Sequence, residues 1–235
     1  MMADSEVMRK SPLEQMGIDM AVLNEKGGFG TVMASAGVGK TALLVQIAII
    51  AMLNRFSVLH VSLNDPVQKV ILWYDEIFQS LNRAQLCGST PELQEDILRR
   101  RLIMTFRADD FTIPKLGGRL NDLAVQNIFS PRILIIDGLQ FDDRLESLLQ
   151  KLKKMVQGRD CFVWVAVHIP QRDWKTPVED PLSAVGFLDC FQVVFKIEDR
   201  GHYHILQLLK GAEIAEEGNK KELRLDPTTL LVISK

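Results

Sequence analysis

Met33-Ala34-Ser35-Ala36-Gly37-Val38-Gly39-Lys40-Thr41 is entered from the uncharged segment Phe29–Ala34 and left through residues 42–53, which hold almost only Ala, Leu, Ile, Val and Met. A short strand, a glycine loop and an apolar helix in that order form a phosphate-binding loop. Glycines let backbone N–H groups turn inward around phosphates, the lysine reaches the terminal phosphates, and the hydroxyl of the next residue ligates Mg²⁺. The helix that follows presents its N-terminus to the anion. The expected nucleotide contacts are therefore Ala34, Ser35, Ala36, Gly37, Val38, Gly39, Lys40, Thr41 and Ala42. The usual pattern opens with glycine; Ala34 stands there instead, and fits if that position keeps a negative φ. A mere glycine turn between two core elements would leave Lys40 without a reason to sit at a buried helix entrance.

Outward from this loop, 235 residues suffice for one α/β domain with a full core. The chain is 47% hydrophobic and 25% charged with a net charge of −2, so nothing global points to nucleic acid. The longest apolar run, residues 42–53 interrupted by Gln46, is too short to cross a bilayer. Met1-Met2-Ala3-Asp4-Ser5-Glu6 does not have the form of a signal peptide, and the expected location is cytoplasmic, away from membranes. Cys87, Cys161 and Cys190 are odd in number and unrelated in spacing, with no Cys-x-x-Cys. They are expected to be reduced core thiols.

Strands buried on both faces of a parallel sheet lose their alternation and become continuous apolar runs. Val58-Leu59-His60-Val61-Ser62-Leu63, Leu102-Ile103-Met104-Thr105-Phe106, Ile133-Leu134-Ile135-Ile136 and Phe162-Val163-Trp164-Val165-Ala166-Val167 have that form. Helical faces separate them, one marked by Val67, Val70, Ile71, Tyr74, Ile77, Phe78 and Leu81, another by Leu145, Leu148, Leu149, Leu152, Met155 and Val156. Ser89-Thr90-Pro91-Glu92 starts a further helix that ends at Arg99-Arg100-Arg101. Alternating strand and helix predict a mostly parallel sheet between helical layers. Residues 191–197 and 202–209, joined at Glu198-Asp199-Arg200-Gly201, predict an antiparallel C-terminal extension, with residues 230–233 as one more strand. Residues 1–28 and 211–221 are expected to be loosely held.

Hydrolysis needs more than a phosphate loop: a carboxylate that orders the metal, and a group that positions water. Arg132-Ile133-Leu134-Ile135-Ile136-Asp137 is four aliphatic residues ending in aspartate, the Walker B form, which makes Asp137 a metal candidate beside Thr41. Gly138 follows, and an ordinary strand closed by an Asp-Gly turn is the alternative. Asp65, in Leu63-Asn64-Asp65-Pro66, suits either a general base or a helix cap with Pro66 as the first helical residue. His168 ends an apolar run, as a sensor of the terminal phosphate or as a half-exposed strand end.

These elements in this order resemble the RecA-like P-loop ATPases, the KaiC, DnaB and RadA branch in particular, from about Gly28 to Ile233. The resemblance implies a three-layer α/β sandwich with a mostly parallel central sheet and an antiparallel C-terminal extension. Residues 1–27 then form an N-terminal extension and 28–235 the ATPase domain. It implies ATP and Mg²⁺ as cofactors, a homo-oligomer for which a hexamer is one form, and catalytic roles for Lys40, Asp65, His168 and Lys210. In that family the phosphate loop is followed by a strand ending in acidic residues, then by Walker B, then by a strand ending in Gln, His or Ser; here these are Asn64-Asp65, Asp137 and His168. The segment 180–194 also resembles the family stretch after its mobile loop. Hexameric relatives end the next strand in Lys-x-Arg, which reaches the neighbouring subunit's nucleotide; this chain has Lys210-Gly211-Ala212. Lys210 is either that intersubunit cation or an edge-strand lysine. Asn64 in place of a glutamate and Ala212 in place of the arginine imply slow hydrolysis.

The function expected from these features is a slow Mg²⁺-dependent ATPase that uses nucleotide to control its oligomer or its loops. Its rivals are a catalytically weak nucleotide-holding subunit that binds protein partners, a DNA-recombination ATPase, and a small-molecule kinase, although no separate arginine-rich lid is seen. For DNA the candidate contacts are Arg172, Trp174 and Lys175, with Arg99 to Arg101 and Lys151, Lys153 and Lys154 as basic clusters. Helix-end and solvated-face roles explain the clusters equally well, and the overall charge lends DNA no support.

Overall fold

A computed structural model describes residues 11–24, 26–84, 90–169, 188–211, 222–229 and 231. In chain order the helices are α1 (Pro12–Gln15), α2 (Lys40–Leu53), α3 (Val67–Arg83), α4 (Pro91–Arg99), α5 (Ile113–Val125) and α6 (Leu145–Val156). The strands are β1 (Phe29–Ala34), β2 (Val58–Ser62), β3 (Arg101–Thr105), β4 (Ile133–Gln140), β5 (Phe162–His168), β6 (Val193–Asp199), β7 (His204–Lys210) and β8 (Glu222–Leu225). They form one 8-stranded sheet in the order β3-β2-β4-β5-β1-β6-β7-β8. β3 through β6 in that order are parallel; β7 and β8 add antiparallel to their neighbours.

Side-chain alternation divides the core into two layers. Ile133 and Ile135 of β4, with Trp164 and Ala166 of β5, face α2, α3 and α4. Leu134 and Ile136, with Val163 and Val165, face α5 and α6. α2 is buried from Ala42 to Met52, as expected of a helix that is apolar all round. Truncating one of its leucines to alanine costs about 2–5 kcal/mol. α4 starts where the sequence predicts, with Thr90 Oγ1 accepting from the Leu93 amide at 3.2 Å.

Three local expectations are corrected. β3 lies at the sheet edge, so Leu102, Ile103 and Met104 are half-buried and not enclosed on both faces. Residues 11–24 are not loosely held: Leu13, Met16, Ile18 and Leu23 enter the main core, because α1 and the turn after it cap its open side. The third strand of the extension is β8, paired with β7; Leu231 is a buried bend, held where its carbonyl accepts from the Asp226 amide, and the rest of 230–233 lies outside the described residues. One helix comes in addition. α5 has no clear apolar signature in the sequence beyond Ile113, Leu116 and Leu120, and is started by the Thr112 cap with proline inside its first turn.

Candidate functional site

The parallel strands finish at one edge of the sheet, and register sets which ends are neighbours. Ala34 of β1 lies opposite His168 of β5, and His168 opposite Gln140 of β4. Asp137 of β4 lies opposite Ser62 of β2. The loop 35–39 leaves this edge from β1 and enters α2, in the crevice where open α/β sheets place ligands. Gly37 (φ 76°) and Gly39 (φ 95°) occupy the left-handed region, while Ala34 does not. Alanine at 34 therefore costs no backbone strain. No side chain caps α2, whose first turn leaves amides that can face an anion. Ala34, Val38 and Ala42 bury their side chains in the core, so only their backbones can take part.

Lys40 folds back over the loop, its Nζ donating to the carbonyls of Ala34 at 2.9 Å and Ser35 at 2.7 Å. Burial lowers its pKa, while the charge of Asp137 acts the other way. Thr41 Oγ1 donates to Asp137 Oδ2 at 2.6 Å across a sequence separation of 96. Asp137 is 8% exposed. Burial pushes its pKa up, the Thr41 hydrogen bond and Lys40 pull it down, and the negative charge of Asp65 adds to the rise. A hydroxyl and one carboxylate are hard oxygen donors that suit Mg²⁺ completed by water and phosphate oxygens. An all-protein metal cage does not occur among the described residues, which contain no group of three His, Cys, Asp or Glu side chains able to form one.

The Asp-Gly turn expected as an alternative after Asp137 is absent. β4 runs on to Gln140 through a bulge between Asp137 and Leu139. Gly138 has φ 106°, and a Cβ there would stand 2.6 Å from Asn64 Nδ2. The bulge shifts register directly after Asp137, a device that re-aims side chains near sites. Only glycine meets both the backbone angle and the close approach of the Asn64 strand end.

His168 is brought beside the loop, where burial and the charge of Lys40 both lower its pKa. Asp65 is close enough to act electrostatically on Asp137, but its Oδ1 is paired with Lys69 Nζ at 2.9 Å. It is no helix cap, because Pro66 is the cap residue of α3 and no side chain bonds there. Lys210 is not gathered with the others. Its register partner is Val194, near the start of β6, and its Nζ donates to Leu188 O at 3.1 Å with Asp189 Oδ1 at 3.6 Å.

Of the basic clusters, Arg99 pairs with Glu95 at 2.6 Å, Arg100 with Asp96 at 3.3 Å, and the Arg101 guanidinium lies over the Tyr74 ring. A helix-end role accounts for Arg99 and Arg100, whereas Arg101 is the first residue of β3. Lys151, Lys153 and Lys154 are on the exposed side of α6. Arg172, Trp174, Lys175, Ala212 and Cys87 lie outside the described residues. Cys161 and Cys190 are free thiols, buried and half-buried, and burial pushes Cys161 up to about 12.

The sequence reading passed over one group. His60 is fully buried in β2, its Nδ1 is 3.1 Å from Tyr74 OH, and its Nε2 is 4.0 Å from Asp137 Oδ2. Its signal was a histidine in an otherwise apolar strand, where a branched aliphatic residue is the ordinary occupant.

No protein-family model matches this chain, and no curated protein does. Among solved structures, one described as an ATPase domain matches with a TM-score of 0.60 at 15% identity, covering 89% of this chain and 86% of that one. At that identity the likeness is one of fold. The three-layer RecA-like arrangement with a mostly parallel sheet and an antiparallel C-terminal extension is the architecture of this protein.

Proposed function

We propose that the chain is a Mg²⁺-dependent ATP-binding protein and a slow ATPase of the KaiC, DnaB and RadA kind, using bound nucleotide to control its oligomeric or loop state. The observation that carries this reading is the hydrogen bond of Thr41 to Asp137, which joins the end of the glycine loop to the end of a central strand. The glycine-loop amides and the α2 N-terminus bind the phosphates. Lys40 exchanges its two loop carbonyls for phosphate oxygens of comparable geometry and greater charge. Thr41 and Asp137 would hold Mg²⁺, which when bound would neutralise charge on the terminal phosphates. His168, close enough to Lys40 to feel its charge, is the candidate sensor of the terminal phosphate.

Slow turnover follows from three residues. Asn64 offers no carboxylate at the end of the Leu63-Asn64-Asp65 segment, and Asp65 is drawn into its pair with Lys69. Ala212 supplies no cation to a neighbour, where an arginine is worth roughly 10³–10⁵ in rate. Lys210, exposed over 40% of its side chain, is the remaining candidate for an intersubunit contact. The engaged Asp65 favours a second reading, a subunit that holds nucleotide without useful turnover and signals to a protein partner. Pairing of Arg99 and Arg100 within their own helix leaves DNA binding the weakest reading.

Calorimetric titration with ATP and ADP, in Mg²⁺ and in EDTA, tests the binding claim, and phosphate release with light scattering tests the rest. Expected are Mg²⁺-enhanced binding, slow release and ATP-dependent assembly. No binding of either nucleotide overturns the proposal; binding without release selects the nucleotide-holding subunit.

A further inference from the structure

Beneath the candidate site, on the side of the sheet covered by α2 and α3, lies a line of polar groups in an otherwise apolar layer. His60 sits between Ile103 of β3 and Ile135 of β4 with no exposed surface. Among the described residues its Nε2 has no hydrogen-bond partner, and Asp137 Oδ2 lies 4.0 Å from it. Tyr74, 2% exposed, approaches Nδ1 with its hydroxyl at 3.1 Å and carries the Arg101 guanidinium over its ring, 4.5 Å from the centroid. An unpaired buried nitrogen bears its full desolvation cost, which valine or isoleucine in the same strand would avoid. Such groups in native proteins call for an explanation, and a catalytic role is a common one.

Electrostatics decides the tautomer. A neutral imidazole has one donor and one acceptor nitrogen. With the proton on Nδ1, the Nε2 lone pair would face a carboxylate oxygen. With the Tyr74 hydroxyl donating to Nδ1, the Nε2–H faces it instead, and this is the favoured arrangement. Burial first, and the Arg101 charge second, hold the imidazole pKa down at about 3, so His60 offers a dipole and no charge.

From this geometry we propose that His60 is a positioning residue for Asp137: anchored by the Tyr74 hydroxyl, its Nε2–H holds Oδ2 from the core side while the Thr41 hydroxyl holds the same oxygen from the loop side. The inference rests on the reading of Asp137 as the carboxylate that orders the metal. A small turn of the carboxylate closes the present 4.0 Å gap. Fixed from both sides, Asp137 meets the water shell of a cation without reorganising, as partners behind metal-ordering groups generally ensure.

The test combines binding with a spectroscopic signature. In ¹⁵N-histidine-labelled protein, His60 should show the Nε2–H tautomer, and its Nε2 resonance should move on addition of ADP with Mg²⁺ but not of ADP in EDTA. The ratio of ADP affinity in Mg²⁺ to that in EDTA should fall about 10-fold in His60→Leu, a few-fold in Tyr74→Phe and least in His60→Gln, which keeps a donor. Affinity in EDTA should stay constant throughout. An Nδ1–H tautomer, or a folded His60→Leu with an unchanged ratio, overturns the proposal; if His60→Leu does not fold, the wild-type tautomer and its Mg²⁺ response decide. A wild-type chain whose ADP affinity is equal in Mg²⁺ and EDTA removes the metal reading itself, a result told apart because it needs no variant.

Discussion

Where β1, β4 and β5 finish, Lys40, Thr41, Asp137 and His168 meet with few partners beyond one another and the loop backbone. Where β2, β4 and β5 begin, Arg132 pairs with Asp160 and spreads over Phe56, Arg159 donates to Asn121 and the carbonyl of Met155, and Ser57 donates to the carbonyl of Ser130. Cations and hydroxyls occur at both ends. At the beginning the chain supplies their counterparts locally, and they tie loops to the sheet. At the finish burial raises the pKa of the Asp137 carboxylate, and among the described residues the Lys40 ammonium donates to loop carbonyls, so charge is kept there against the cost of burial. The difference teaches that residue type alone does not mark a site; the shortage of local partners does.

The contrast can be broken most directly at Lys40. Lys40→Ala should lower ATP affinity on the order of 100-fold, the loss of two charge-assisted hydrogen bonds, while the thermal midpoint barely moves. Unchanged affinity in calorimetric titration would show that this end is structural too. Asp137→Asn should reduce the Mg²⁺-dependent part of that affinity about 10-fold and raise the thermal midpoint, because a neutral amide removes a carboxylate that burial disfavours yet still accepts from Thr41. A lower midpoint would mean that the buried charge supports the fold.

Acid should sharpen the picture beneath the site. The pKa of His60 is lowered from 6.5 to about 3 in the folded chain, so between those values the unfolded chain binds a proton that the folded chain does not. Stability should fall with acidification across this window by up to about 1.4 kcal/mol per pH unit, and His60→Leu should make the slope shallower. Urea melts of both proteins from pH 7 to pH 4 measure it; parallel slopes would contradict a neutral buried imidazole. The smallest effect belongs to the other end. Arg132→Ala should cost about 1 kcal/mol in the same melts, as expected of a partly exposed ion pair, and leave nucleotide affinity unchanged.

The loop was legible because everything it needs is contiguous: glycines for positive φ at 37 and 39, a lysine, a hydroxyl and an apolar helix within one run of chain. The strands were legible because burial on both faces writes itself as unbroken apolar runs, and Leu102 to Phe106 misled because an edge strand can be apolar as well. Asp65 and Lys210 were recognised as charged residues at strand ends, but their partners Lys69 and Leu188 depend on local geometry that composition does not reveal. His60 was passed over because its meaning depends on Asp137, which is remote in sequence and close in space.

The sequence by itself determined the alternation of strand and helix, the glycine loop and the aspartate that ends an aliphatic run, since each follows from backbone sterics or from burial periodicity over a few residues. Only the tertiary structure decided that β1 lies between β5 and β6, that Thr41 reaches Asp137 at 2.6 Å, and that a buried histidine stands behind the same carboxylate. These depend on strand order and register, which are set by the summed burial of two helical layers against one sheet and are written in no single stretch of the chain.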